Sequence, residues 1–224
     1  MSYVASWSGG KDSCLACYEA MCSGLRISHL INFVYEGRVR SHGVSVNLVR
    51  LQAELVGIPL VQVETTWEDY EENFKKSVRS LIPQGVRGIV FGDLYLDEHR
   101  KWVERVCGEL GVEAVEPLWG LKPREVISRL LDAGFEAVIV SARSNLIGEE
   151  WAGCRLSWEF IEYLEDRGID LCGENGEYHT LVVNGPIFRR RLEINFEGVV
   201  RVDGRWVAML SPAGGDLAER LALR

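Results

Sequence analysis

The chain has 224 residues, 47% of them hydrophobic and 26% charged, enough to bury a real core in one large domain or two modest ones. A formal net charge of −8 argues against a generic nucleic-acid binder, which is usually basic. No apolar run approaches a membrane span and the N-terminus shows no secretory leader, so a cytoplasmic protein without membrane contact is expected.

Tyr3 to Trp7 is a short apolar run that reads as a strand. Ser8-Gly9-Gly10-Lys11-Asp12-Ser13 follows, and a helical pattern runs from Cys14 to about Cys22. Ile27 to Tyr35 reads as a strand. Val44 to Val56 reads as a helix with Leu48, Leu51 and Leu55 on one face, stopped by Gly57. Pro59 to Val63 is a strand, Trp67 to Leu81 an amphipathic helix, Gly88 to Gly92 a buried-type strand and Glu98 to Leu110 a helix. Val112 to Val115 closes this series, which implies a parallel sheet with helices on both faces and right-handed crossovers. Pro123 to Leu131 (helix), Ala137 to Ser141 (strand) and Glu159 to Arg167 (helix) continue it. The pattern then turns strand-rich, at His179 to Val183, Leu192 to Val200 and Trp206 to Leu210, before a short C-terminal helix at Leu217 to Leu223. A soft boundary near Leu118 to Lys122 divides an α/β part, 1–120, from a smaller α+β part, 121–224, packed on the sheet edge.

The glycine loop sits where a phosphate site is made. Two adjacent glycines let the backbone approach a ligand, and the loop N–H groups join a helix N-terminus to form an anion site. Lys11 adds charge, and Ser8 and Ser13 add hydroxyls. The loop is not a Walker A motif, because Ala5 stands where that motif needs glycine and Asp12 where it needs Ser or Thr. Nor does it match the dinucleotide fingerprint. SGGKDS is similar to the PP-loop of the ATP pyrophosphatases, which cut ATP between its α- and β-phosphates and adenylate a substrate oxygen.

Gly173-Glu174-Asn175-Gly176-Glu177-Tyr178-His179-Thr180 is the second dense segment. Glu174 and Glu177 suit a hard cation or proton transfer, and His179 suits proton transfer near neutral pH. A solvated turn entering a strand is the competing reading. Cys14 and Cys17 form a CxxC, yet their helical spacing and the lack of a second ligand pair favour packing. Arg189 to Arg191 is the dense basic run, read as a solvated turn with protein docking as the alternative.

GENGEYHT together with SGGKDS closely resembles the diphthine–ammonia ligase family. Phe91-Gly92-Asp93, the helix carrying Arg100 and Trp102, and Glu116-Pro117-Leu118-Trp119 extend the resemblance over nearly the whole chain. It implies ATP-dependent amidation of diphthine, a modified histidine of translation elongation factor 2, by ammonia. ATP adenylates the carboxylate, pyrophosphate leaves, and ammonia displaces AMP. On that basis Ser8, Gly9, Gly10, Lys11, Asp12 and Ser13 are assigned to the β- and γ-phosphates, and Asp12 also to Mg²⁺. Gly92 and Asp93, at the carboxyl end of a parallel strand, are assigned to the nucleotide, although a turn or helix-start role suits Asp93 equally. Glu174, Asn175, Glu177, His179 and Thr180 are expected to face the acyl-adenylate and the ammonia. His42 and Asn47 flank the second helix, with His42 read as local structure. A tRNA-modifying PP-loop enzyme, an enzyme that amidates a small carboxylic acid and a nucleotide sensor are the competing functions.

Overall fold

A computed structural model describes residues 1–35, 38–39 and 44–213. The expected helix at Leu217 to Leu223 and the side chain of His42 lie outside the described residues. In chain order the strands are β1 (Ser2–Ser6), β2 (Ile27–Tyr35), β3 (Arg38–Val39), β4 (Leu60–Glu64), β5 (Val86–Val90), β6 (Glu113–Val115), β7 (Glu136–Arg143), β8 (Tyr178–Asn184), β9 (Ile194–Val202) and β10 (Arg205–Pro212). The α-helices are α1 (Lys11–Cys22), α2 (Val46–Val56), α3 (Tyr70–Leu81), α4 (Asp97–Leu110), α5 (Pro123–Asp132) and α6 (Trp158–Glu165).

The buried runs in the first half pair as five parallel strands in the order β4-β2-β1-β5-β6, with β3 added antiparallel at the end of β2. The chain winds outward from β1 to β4, then crosses to β5 on the other side of β1. That reversal opens a crevice at the carboxyl ends of β1 and β5, where open α/β sheets bind ligands. The second half forms an antiparallel sheet, β8-β7-β10-β9.

Helical periodicity decides which helix covers which face. The apolar stripes of α3 and α4 pack Phe74, Val78, Val103 and Val106 against Val4, Ile31 and Ile89. Phe74 is fully buried among Phe33, Phe91 and Trp102, and truncation there to Ala costs about 3–5 kcal/mol. The other face packs α1 and α2, and their core continues into α5, α6, β7 and β8 through Leu15, Leu48, Ile127, Ile139, Phe160 and Leu181. One apolar cluster therefore joins the two sheets. Strand β8 lies directly on the glycine loop: the Val182 N–H donates to the Gly9 carbonyl at 2.9 Å.

Candidate active site

The loop between β1 and α1 is held from behind by α2. Gln52 is fully buried; its amide donates to the carbonyls of Gly9 (3.0 Å) and Val182 (2.6 Å) and accepts from the Trp7 indole N–H (3.2 Å). Gly9 has φ +80°, and a Cβ there would run into Gln52, so both conformation and space require glycine. Ser8 and Ser13 hydroxyls lie 3.1 Å apart, and the Gly10 N–H donates to Ser8 Oγ at 3.3 Å. Gly10 is the N-cap of α1, so the helix start faces this loop.

Lys11 is 4% exposed. Its ammonium donates to Asp12 Oδ2 at 2.8 Å and to the Cys172 carbonyl, and stands 5.1 Å from the centre of the Tyr178 ring. Burial opposes its charge, but Asp12, with Tyr178 and Cys172, outweighs burial and lifts the ammonium above its usual range. Burial pushes the Asp12 carboxyl up, and Lys11 draws it back. The second Asp12 oxygen, Oδ1, is buried without a hydrogen-bond partner.

The Gly173–Thr180 segment reaches this loop from the antiparallel sheet. Thr180 Oγ1, in β8, accepts the Lys11 backbone N–H at 3.0 Å, a contact between residues 169 positions apart in the chain. Thr180 is thus fixed to the first turn of α1, and Lys11 to the loop before β8. Glu174 faces Asp12, Lys11, Asp93 and His99; burial, reinforced by Asp12, pushes its carboxyl up to about 7. Glu177 is buried and accepts the Asn175 N–H at 3.0 Å, an inward-turned bond that closes the loop on itself. His179 lies in β8 opposite Ser141 of β7.

Gly92, just beyond β5, touches the start of α1: an added Cβ would lie 2.8 Å from the Asp12 carbonyl carbon and 2.9 Å from the Ser13 nitrogen. Asp93 pairs with His99 Nδ1 at 2.9 Å, and that bond raises the imidazole above its ordinary range. Both line a cavity of about 540 Å³ at the carboxyl ends of β1, β2 and β5, with Ser8, Phe33, Tyr70 and Trp102 on its walls. Its size and mainly apolar walls suit a nucleoside. Asn47 stands apart from it, its backbone N–H capping on Ser45 Oγ in the first turn of α2.

Several residues of the site were not marked by sequence reasoning. Gln52 carried a signal, a polar side chain on the apolar stripe of Leu48 and Leu55. Asp170 accepts from the Tyr95 hydroxyl (2.6 Å), the Cys172 N–H (2.9 Å) and the Glu174 N–H (3.3 Å), tying the β5–α4 loop to the second segment. Nothing in its sequence neighbourhood marked it. Cys14 and Cys17 are buried in the core, as packing predicts, and among the described residues no three His, Cys, Asp or Glu gather to hold a metal. The Arg189–Arg191 run sits near Gly57, which precedes β4, at the sheet edge opposite the cavity. Arg191 is engaged there with Glu136.

A doubly wound parallel sheet with this loop at its switch point defines a nucleotide-binding α/β protein of the PP-loop type. The chain belongs to the diphthamide synthase family: residues 1–114 match the diphthamide synthase N-terminal domain and residues 122–209 the C-terminal domain. Diphthine–ammonia ligase of Danio rerio is 27% identical over 226 residues, covering 87% of each chain. The Homo sapiens enzyme of the same name is 27% identical over 227 residues, covering 89% of this chain and 85% of its own. The crystal structure of a predicted subunit of tRNA methyltransferase from Methanocaldococcus jannaschii aligns with a TM-score of 0.46 at 17% identity, over 83% of this chain and 98% of that one. The family makes this chain a ligase of diphthamide biosynthesis. No helix among the described residues is long and apolar enough to cross a membrane.

Proposed function

We propose that this chain is the diphthine–ammonia ligase of its cell, acting in the cytoplasm on diphthine of translation elongation factor 2. ATP adenylates the diphthine carboxylate with release of pyrophosphate, and ammonia displaces AMP to give diphthamide. A carboxylate is a poor acceptor for ammonia because hydroxide leaves badly; AMP leaves well. The chain's task is then positioning and charge stabilisation.

The observation that carries this reading is the meeting of the two motifs. Lys11 is bound to the second segment through its backbone N–H, on Thr180, and through its ammonium, on Cys172. A sensor that only bound nucleotide would not need the second segment at that place. In the proposed division of labour, residues 1–120 hold ATP and residues 121–224 complete the acyl-transfer site. Ser8 to Ser13 take the β- and γ-phosphates at the start of α1, and the cavity beside Gly92 and Asp93 takes the nucleoside. Asp12 would hold Mg²⁺, and its buried, unpartnered Oδ1 fits a hard cation. That ion would supply neutralisation of charge on the departing pyrophosphate. Glu174, set near neutrality, accepts a proton from the nitrogen as the C–N bond forms, with Asn175, Glu177 and His179 lining its loop. Thr180 fixes that loop to α1.

The test is the mass of diphthine-bearing elongation factor 2 after incubation with the protein, ATP, Mg²⁺ and ammonium, with AMP and pyrophosphate followed in the same tube. Conversion of acid to amide in step with AMP is the expected result. AMP and pyrophosphate without amide would keep the adenylation and move the acceptor to a small acid or tRNA. No turnover with any acceptor would leave a nucleotide sensor.

A further inference from the structure

The antiparallel sheet does more than carry β8. Its register sets Arg143, the last residue of β7, directly opposite Arg205, the first of β10. Like charges opposite one another on neighbouring strands repel, so the pairing needs compensation. That compensation comes from the second site segment. Arg143 Nη2 donates to the Asn175 carbonyl at 2.6 Å, and Arg205 Nη1 donates to the Gly176 carbonyl at 2.8 Å. Arg205 Nε is anchored on Ser141 Oγ at 2.6 Å, and the Arg143 backbone N–H donates to the Glu177 carbonyl at 2.8 Å. Gly176 has φ +77°, so the loop turns through a left-handed residue where a sheet ladder would otherwise bind its carbonyls. The arginines bind these carbonyls instead.

From the other side Asp170 holds the Glu174 N–H, and Tyr95 holds Asp170. The loop is therefore gripped at both flanks of Glu174. We propose that Arg143 and Arg205 are positioning residues for the amide-forming step, clamping Asn175 and Gly176 so that the Glu174 carboxylate stays seated against Lys11 and Asp12. The clamp touches no phosphate-loop residue, so it acts on ammonia transfer and not on adenylation. This inference rests on Glu174 as the proton acceptor of the proposed reaction.

The experiment uses the full chain with Arg205→Ala, Arg205→Lys and Arg143→Gln. ATP–pyrophosphate exchange reports adenylation, and amide formation is followed across neutral pH. Exchange is expected to stay within about threefold of wild type, while amide formation falls on the order of tenfold to a hundredfold, the usual cost of a misplaced reacting group. Arg205→Lys, which keeps a cationic donor, should recover part of the loss. Equal loss of both half-reactions would overturn the clamp, because that is the mark of simple destabilisation. If Arg205→Ala fails to fold, Arg143→Gln, at an exposed position, carries the same comparison. Amide hydrogen exchange over residues 173–177 separates the two layers of the argument. Unchanged protection in the arginine variants removes the clamp, whereas an unchanged amide rate in Glu174→Gln removes the proton acceptor and leaves the clamp standing on its exchange data.

Discussion

Replacing Gln52 by Met tests whether the phosphate loop is shaped from behind. Met matches the length and volume of Gln but has no amide, so packing is kept and hydrogen bonding is lost. The Gly9 carbonyl keeps the Val182 N–H. The Trp7 indole N–H is left buried without its acceptor, and the Val182 carbonyl loses its side-chain donor. Each orphaned group costs about 1–3 kcal/mol, so the pair costs about 2–6 kcal/mol. At roughly 2–4 °C per kcal/mol for a chain of this size, the melting temperature should fall by roughly 4–24 °C. The loss is also functional, because the Gly9 peptide that Gln52 orients belongs to the phosphate loop. Affinity for ATP, measured by titration calorimetry below the new melting point, should weaken on the order of tenfold. Gln52→Glu should be worse, because a buried carboxylate cannot donate to either carbonyl. A melting temperature within roughly 2 °C of wild type, with unchanged ATP affinity, would refute the reasoning.

Gly92→Ala should cost about 1–3 kcal/mol and weaken ATP binding, because its Cβ would sit 2.8 Å from the Asp12 carbonyl carbon and neither neighbour is a flexible side chain; thermal unfolding and calorimetry read both. Lys11→Ala should stop ATP turnover and also destabilise the fold by about 1–3 kcal/mol, since Asp12, half-buried at 23% exposure, is left without its counter-ion; full turnover would remove Lys11 from the proposed phosphate site. The folded-state Glu174 carboxyl titrates near 7, above its unfolded value, so the native state binds the proton more tightly. Its contribution to stability is whole below the unfolded value of about 4.5 and is lost as pH rises toward 7, on the order of 2–3 kcal/mol. Glu174→Gln should therefore flatten denaturant stability across that window, and an unchanged slope would count against its burial.

The parallel sheet was legible because its strands are short apolar runs and its helices carry 3.6-residue stripes, each ended by Gly or Pro. Leu48 and Leu55 therefore located α2 and its buried face. The two-residue β3 has too few residues to show a period. The two motif segments that the fold brings together were legible in the same way, from Ser8 to Ser13 and from Glu174 to Thr180. What held them in place was not. Asp170, Arg143 and Arg205 act through backbone carbonyls and N–H groups, and a backbone partner leaves no trace in residue identity. Thr180 illustrates the difference: the sequence marks it for the reacting groups, and in the fold its hydroxyl takes the Lys11 N–H.

The charge layout of the site argues for how one crevice can serve both halves of the proposed reaction. Polyphosphate needs positive potential, and it meets the start of α1, with loop N–H groups and the Lys11 ammonium beside it. Ammonium needs the reverse, and Glu174 faces Asp12 and Asp93, with Lys11 and His99 among the counter-charges. Lys11 belongs to both sides: it donates to Asp12 and to the Cys172 carbonyl at the base of the Glu174 loop. In the proposed reaction, departing pyrophosphate would take away negative charge that Lys11 had been balancing, and the Lys11 field on Glu174 would strengthen. That would draw the Glu174 carboxyl down from its elevated value and leave it in the ionised form, the form that can receive a proton. Such coupling would favour the proposed order, adenylation before ammonia. Amide formation from a preformed acyl-adenylate, assayed with added pyrophosphate, should be slowed beyond simple reversal of the first step. Equal slowing in wild type and Glu174→Gln would break the link between the two halves.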